Sequence, residues 1–307
     1  MNHLTESAMF NFVDRNPHLV TAKVQSNGFR VLKYKNKVFY DNLWTPELIE
    51  CRGTVVDVID DCRLKVIQRP FTKIFNYNER GTRIHRNTPV RAVRKINGFM
   101  GALTWHNGAP LVSTTGSCDS EFAKMAYDML EQTDAFGLAE FLPPMTLIFE
   151  IVHPSDPHIY PEHVGVYLLG ARVKQWDTTQ HAMSEGTLDQ LAAEYKLKRP
   201  ETYHMQFGDL VKLNKTVDHE GFVCWTDEGY ELKLKSPHYL VTKFLARINS
   251  GKFMAQVDAD PEQLKRRVDE EFYPVIDYAV ANKNEFIGYG EQTRIKMIRN
   301  FIEGMNA

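Results

Sequence analysis

The sequence predicts an α+β chain, with a large domain of antiparallel sheets followed by a small all-helical one. Short strand-like runs separated by turn residues, among them Asp60-Asp61 and Asn97-Gly98, fill most of the first 240 residues. After Pro237 the apolar residues take up helical spacing instead. Neither part contains an internal repeat or a low-complexity linker. The expected domains are therefore 1–240 and 241–307.

In chain order, Lys23–Tyr40 alternates apolar and polar residues around Phe29, Val31 and Phe39 and reads as extended. Gly53–Ile59 and Leu64–Arg69 form a hairpin around Asp60-Asp61. Val90–Lys95 and Gly98–Trp105 make a second strand pair about Asn97-Gly98. Ser120–Glu131 is helical, with Phe122, Ala123, Ala126, Met129 and Leu130 on one face. Met145–Val152 and Val164–Val173 are apolar strands, and Leu188–Tyr195 is a short helix. Gly221–Thr226 and Tyr230–Lys235 close a hairpin over Asp227-Glu228-Gly229. A helix then covers Tyr239–Asn249, with Gly251 as its stop. Asp260 caps the next, which has Pro261 at its first position and Leu264, Val268, Phe272 and Ile276 on its apolar face. Pro274 kinks or divides that helix, and Thr293–Met305 supplies the last one through Ile295, Ile298, Ile302 and Met305.

With 43% hydrophobic and 25% charged residues, the composition is that of an ordinary globular protein. No apolar run approaches the ~20 residues that span a bilayer, and MNHLTESAMFNF lacks the pattern of a signal peptide. A cytoplasmic monomer with no membrane association is expected. Cys51, Cys62, Cys118 and Cys224 are scattered, so they read as reduced thiols. The net charge of −2 argues against indiscriminate nucleic-acid binding. Yet Arg63 to Lys95 holds ten basic residues against one acid, Glu79, which predicts a wall facing a polyanion. His153 to His163 carries three histidines, but its three prolines and irregular spacing favour a loop over a zinc site.

Lys95-Ile96-Asn97-Gly98 has the form KxxG, a pattern expected about once by chance in a chain of this size. Its companions make it informative. Glu150 lies inside the apolar run Met145–Val152, where a carboxylate is costly unless paired. A structural arginine partner and a sugar- or cation-binding role are equally open for it. Glu220-Gly221-Phe222-Val223 precedes Glu231-Leu-Lys233-Leu-Lys235-Ser236. Strand alternation puts Lys233 and Lys235 on one face and Leu232 and Leu234 on the other, so the lysines face solvent or a polyanion. Asp269-Glu270-Glu271 reads as a solvated helix face.

Glu50-Cys51-Arg52-Gly53 and Arg69-Pro70-Phe71-Thr72-Lys73-Ile74-Phe75-Asn76 stand ahead of KxxG, Phe149-Glu150, Glu220-Gly221-Phe222-Val223 and KLKS. This ordered set, from about Phe29 to Tyr239, resembles the T-even phage RNA ligases. The resemblance implies a nucleotidyltransferase (ligase adenylation) domain that uses ATP with Mg2+, or Mn2+, and joins 5′-phosphate and 3′-hydroxyl RNA ends. It implies Lys95 as the nucleophile that accepts AMP, Gly98 as a point of close backbone approach, and Glu150 on the ribose. Glu220 would bind the metal, while Lys233 and Lys235 would hold phosphates, Lys235 near the α-phosphate. Arg52 and Lys73 match positions that contact nucleotide phosphates or the RNA end, and Tyr34 and Tyr239 match functional positions. Tyr239 is grouped with Arg52 and Lys73 as a substrate residue. Two departures stand out: Asn97 replaces an aspartate, and Thr115 replaces a lysine.

A free lysine titrates near ~10.4 and is a poor nucleophile at neutral pH. Clustered cations, here Lys233, Lys235, Arg52 and a metal ion, would favour its neutral form and also stabilise charge on the α-phosphate. DNA ligases and mRNA guanylyltransferases share the chemistry but continue past the KxK strand into an OB-fold, whereas this chain turns helical. A catalytically idle RNA-binding relative would be expected to lack some of Lys95, Glu220, Lys233 and Lys235, all of which are present.

Overall fold

A computed structural model describes residues 4–156, 162–176, 183–247 and 250–305. The expectations for His158 in the histidine loop, for Asn249 and for the side chain of Ile295 lie outside the described residues. The described residues make a mixed α/β protein of three four-stranded antiparallel sheets with helices at the C-terminal end. It forms two compact units, residues 4–73, 98–156, 162–176 and 183–200 in the first and 74–97, 201–247 and 250–305 in the second.

In the first unit, β1 (Val20–Val24), β2 (Arg30–Tyr34), β3 (Arg52–Asp60) and β4 (Arg63–Gln68) pair in sequence order. The expected β3–β4 hairpin is present, with Asp60 opposite Arg63. Lys23–Tyr40 departs from the reading as extended chain, since Asn36–Tyr40 is a short helix that buries Val38. Val38 and Phe39 are adjacent apolar residues, a pattern that does not fix the period over so short a stretch. The next strand, β5 (Pro89–Arg94), belongs to the second unit. Back in the first unit, β6 (Phe99–His106) and β7 (Ala109–Ser113) join β8 (Met145–Val152) and β9 (Gly165–Val173) in the order β7-β6-β8-β9. Every residue of β8 is buried. Ser120 caps the helix Glu121–Glu131 as expected, and Ala123, Ala126 and Leu130 are buried; Phe122 is exposed. Val31, Val55 and Ile67 pack with Leu111 and Cys118 in the core of this unit.

The second unit contains β5 with β10 (Thr202–Gln206), β11 (Gly221–Trp225) and β12 (Glu231–Lys235), in the order β10-β5-β11-β12. The strand pair expected about Asn97-Gly98 is therefore not a hairpin. β5 bonds to β10 and β11, whereas β6 bonds to β7 and β8. A turn dipeptide can also mark where a chain leaves one sheet for another. Ile84, Val90, Phe207, Leu210, Phe222, Leu232 and Leu234 form the core of the sheet.

The C-terminal helices bury their own cluster, with Phe253, Leu264, Phe272, Ile276, Phe286 and Ile302 among its members. Gly251 does not stop a helix but lies in the first turn of Ser250–Ala259. Asp260 caps Pro261–Lys265 through a hydrogen bond from the Gln263 N–H. The helix expected to run on to Pro274 ends at Lys265; after a single 3-10 turn, Glu270–Phe272, a new helix, Tyr273–Ala281, carries that proline in its first turn.

Candidate active site

β5 is an interior strand, paired on one edge with β10 and on the other with β11. Phe222 stands opposite Arg94, and the Lys95 N–H extends the ladder by donating to the Gly221 carbonyl at 2.9 Å. Two strand ends are thereby held side by side, and their side chains meet across 125 residues of sequence. Lys95 Nζ donates to Glu220 Oε2 at 3.0 Å. On the other flank of β11, Gly221 faces Lys235, and Lys235 Nζ lies 3.4 Å from the second Glu220 oxygen, Oε1. Gly221 makes this possible: with φ at +119°, a Cβ there would sit 2.1 Å from the Leu234 carbonyl oxygen.

Burial pushes the Glu220 carboxyl upward, but Lys95 and Lys235 outweigh it and hold the pKa below the ordinary carboxylate range. The Glu220 carboxyl therefore stays ionised. The sequence suggested a lysine activated by surrounding cations, whereas the Lys95 ammonium rests on a carboxylate. The Lys233 backbone is tied to the segment before β5, its N–H donating to Phe75 O and its carbonyl accepting from Tyr77 N–H, each at 2.8 Å. Leu232 and Leu234 are buried and the two lysines partly so, as strand alternation predicts.

Lys235 has a second carboxylate partner that sequence reasoning missed. Glu271 Oε2 lies 2.5 Å from Lys235 Nζ, and Glu271 Oε1 lies 2.6 Å from Lys243 Nζ. Lys243 also reaches Asp269 at 2.7 Å. The Glu271 side chain is only 7% exposed, which overturns for Glu271 the reading of Asp269-Glu270-Glu271 as a solvated face, while Asp269 stays 43% exposed. Burial opposes its ionisation, but the two lysines hold its pKa well below the usual range. Lys235 is the mirror case: burial disfavours its charge, and Glu271 and Glu220 raise its pKa well above the ordinary lysine value. Tyr239 lies against both ammoniums, its ring centroid 5.4 Å from Lys235 Nζ and 5.6 Å from Lys243 Nζ. Burial, aided by Glu220, pushes its phenol up to about 12. Lys243 had a faint sequence signal, falling four residues after Tyr239 on one helix face. Glu271 had none.

The remaining expected residues belong to the first unit. The Gly98 N–H donates to Glu150 Oε1 at 3.2 Å, and a Cβ on Gly98 would sit 2.3 Å from the Ile151 carbonyl oxygen. KxxG thus needs its glycine for close approach to β8, and Glu150 is fixed by a backbone donor. Arg52 Nη1 donates to Phe71 O at 3.4 Å. Lys73 Nζ lies 5.6 Å from the Trp44 ring centroid, and Tyr34 meets the same indole edge-on at 4.8 Å. Gly53 packs its α-carbon against the backbone of Thr115, where a Cβ would sit 2.7 Å from Thr115 Cα.

Arg69 must be withdrawn from the expected polyanion-facing wall, because it is buried and bonded to Glu50. Tyr77 packs on Phe207 in the sheet core and Phe75 lies beneath Arg80. No group of three or more potential metal ligands occurs among the described residues. No described helix is long and apolar enough to cross a membrane.

Comparison with known proteins bears on the family and the fold. A family model described as RNA ligase matches residues 50–239, well over half of the chain. Among solved structures, an archaeal ATP-dependent RNA ligase is similar at TM-score 0.58 and 17% identity, over 97% of this chain and 77% of that one. A candidate ATP-dependent DNA ligase from Aquifex aeolicus is similar at TM-score 0.57 and 14% identity, over 96% and 77%. At such identities these two show a shared fold.

Proposed function

Because this chain belongs to the RNA ligase family, we propose that it is an ATP-dependent RNA ligase of the T-even phage type, carrying AMP on Lys95. The observation that supports this most directly is the contact of Lys95 with Glu220, with Lys235 on the other oxygen of the same carboxylate. One nucleophile, one acid and one cation from three separated motifs meet there.

In the first step, neutral Lys95 Nζ attacks the α-phosphorus of ATP. An N–P bond forms, the bond to the bridging oxygen breaks, and pyrophosphate leaves. The ammonium loses one proton before attack and a second as the bond forms, both to solvent. Opening the Lys95–Glu220 contact is part of that deprotonation. Lys235, held in its charged form, stabilises the α-phosphate as charge builds on it, and Lys233 holds the outer phosphates. A 5′-phosphate oxygen of RNA then takes AMP from Lys95, and a 3′-hydroxyl displaces AMP to seal the strand.

Glu220 is one carboxylate, and Mg2+ commonly uses one or two with substrate phosphates and water completing its shell. The residues thus fit Mg2+ or Mn2+ held by Glu220, directly or through water, and the ion would neutralise phosphate charge. Glu150, Gly98, Arg52, Lys73 and Tyr34 are assigned to the nucleotide, and Arg52, Lys73 and Tyr239 to the RNA end, on the resemblance of their motifs. The separate cluster buried by the C-terminal helices supports a division into a catalytic domain, 1–240, and a helical domain, 241–307. RNA repair in a phage-infected cell is the role that fits these activities.

Incubation with ATP labelled on the α-phosphate is expected to yield a covalent protein–AMP adduct without RNA. A 5′-phosphorylated single-stranded RNA should then be sealed in preference to DNA of the same sequence. Efficient sealing of a nicked DNA duplex alone would place the protein among DNA ligases.

A further inference from the structure

The contacts around Glu220 continue into a row of alternating charge: Lys95, Glu220, Lys235, Glu271, Lys243, Asp269. Three ammoniums face three carboxylates, so the row is neutral. Its tightest contacts, 2.5 and 2.6 Å, are those of Glu271. Lys235 gives Glu271 a much closer approach than it gives Glu220, 2.5 Å against 3.4 Å.

We propose that Glu271 is a carboxylate latch that occupies Lys235 in the empty enzyme and is displaced from it by the phosphates of an incoming nucleoside triphosphate. The inference rests on the assignment of Lys235 to the α-phosphate. An ammonium has three donors and no acceptor, so a carboxylate at 2.5 Å takes the place that a phosphate oxygen needs. A neutral row attracts a polyanion weakly; once Glu271 turns to Lys243 alone, the groups left around the nucleophile, Lys95, Glu220 and Lys235, carry net positive charge. Lys243 makes withdrawal feasible, because it keeps Glu271 paired after Lys235 is released. A buried carboxylate with no such second partner would be stranded at high cost. The latch comes from the chain beyond the KxK strand, which gives the helical region a part in admitting the nucleotide.

The test is equilibrium binding of α,β-methylene-ATP, which cannot transfer AMP, to the full-length protein. Glu271→Gln is expected to tighten binding about tenfold, equivalent to ~1.4 kcal/mol. Asp269→Asn removes the same charge without touching Lys235 and should shift binding by less than about twofold. Should Glu271→Gln fold poorly, Glu271→Asp, one methylene shorter and still charged, is expected to tighten binding in the same direction. Unchanged or weaker binding by the folded Glu271 variants would overturn the latch, as would an equal effect of Asp269→Asn. No measurable binding by any of the proteins would overturn it as well. The assignment of Lys95 fails separately, if wild-type protein binds the analogue yet forms no adduct with labelled ATP.

Discussion

Arg69 and Glu50 are joined at two points inside the first unit, Nε to Oε2 at 3.0 Å and Nη2 to Oε1 at 2.7 Å. Arg172 approaches the same carboxylate at 3.4 Å, and the Arg69 backbone N–H donates to Thr146 Oγ1 at 2.8 Å. Two residues that open separate motifs, ECRG and RPFTK, thus hold the framework rather than a substrate. Arg69→Met is expected to cost about 3–5 kcal/mol in urea unfolding, since it breaks a buried two-point pair and leaves Glu50 only its longer contact with Arg172. Adduct yield per folded molecule should stay near normal. Loss of the adduct with unchanged stability would show that Arg69 acts in the chemistry.

The same pair sets an acid response. Burial raises the Glu50 pKa, but Arg69 and Arg172 outweigh burial and lower it. A carboxylate with a lowered folded pKa contributes stability that is complete above its unfolded value, ~4.3, and is lost as pH falls through the folded one. Urea midpoints should therefore fall steadily below about pH 4.5. In Arg69→Met the slope in that range should be shallower, and an unchanged slope would assign the acid sensitivity to other groups.

Lys95→Arg should fold normally and form no adduct. A guanidinium keeps the charge opposite Glu220 but does not lose its proton at usable pH. Mass spectrometry after incubation with ATP decides the matter, and an adduct in normal yield on this variant would place the nucleophile elsewhere.

Glu220→Ala should lose adduct formation by at least about a hundredfold while binding of α,β-methylene-ATP changes far less. Charge stabilisation matters most as the transition state is reached. Full activity of the wild-type protein in EDTA would remove any metal role for Glu220.

Gly221→Ala should destabilise the protein by about 2–4 kcal/mol, because it combines positive φ with overlap of the β12 backbone. A Cβ 2.1 Å from Leu234 O leaves no room without displacing a strand. Urea unfolding is the measurement, and a change below about 0.5 kcal/mol would mean that the β11–β12 ends can shift freely.

Legibility in the sequence followed the range of the interaction. The β11–β12 hairpin, the alternation of Lys233 and Lys235, the cap at Asp260 and the apolar run around Glu150 are local patterns, and all could be read. Motif order brought out Lys95 and Glu220 as a set, although their contact spans 125 residues. The strand pairing after Lys95 was misread because Asn97-Gly98 looks like a hairpin turn, while the true partners of β5 begin over a hundred residues later. Glu271 was misread for a related reason. Three acids in a row look solvated until distant lysines fold onto one of them.

The interior position of β5 bears on how Lys95 would move the AMP it is proposed to carry. A strand bonded along both edges cannot slide or tilt without breaking two ladders, and the Lys95 N–H is itself committed to Gly221. The mooring point of the proposed nucleophile is thus fixed within its sheet, where its flexible four-carbon stem is the part that can swing. On the proposed function, loading from one substrate and unloading to another would both occur within the arc of that stem. The donor and the acceptor have to arrive at one berth in turn, because the carrier does not travel between two.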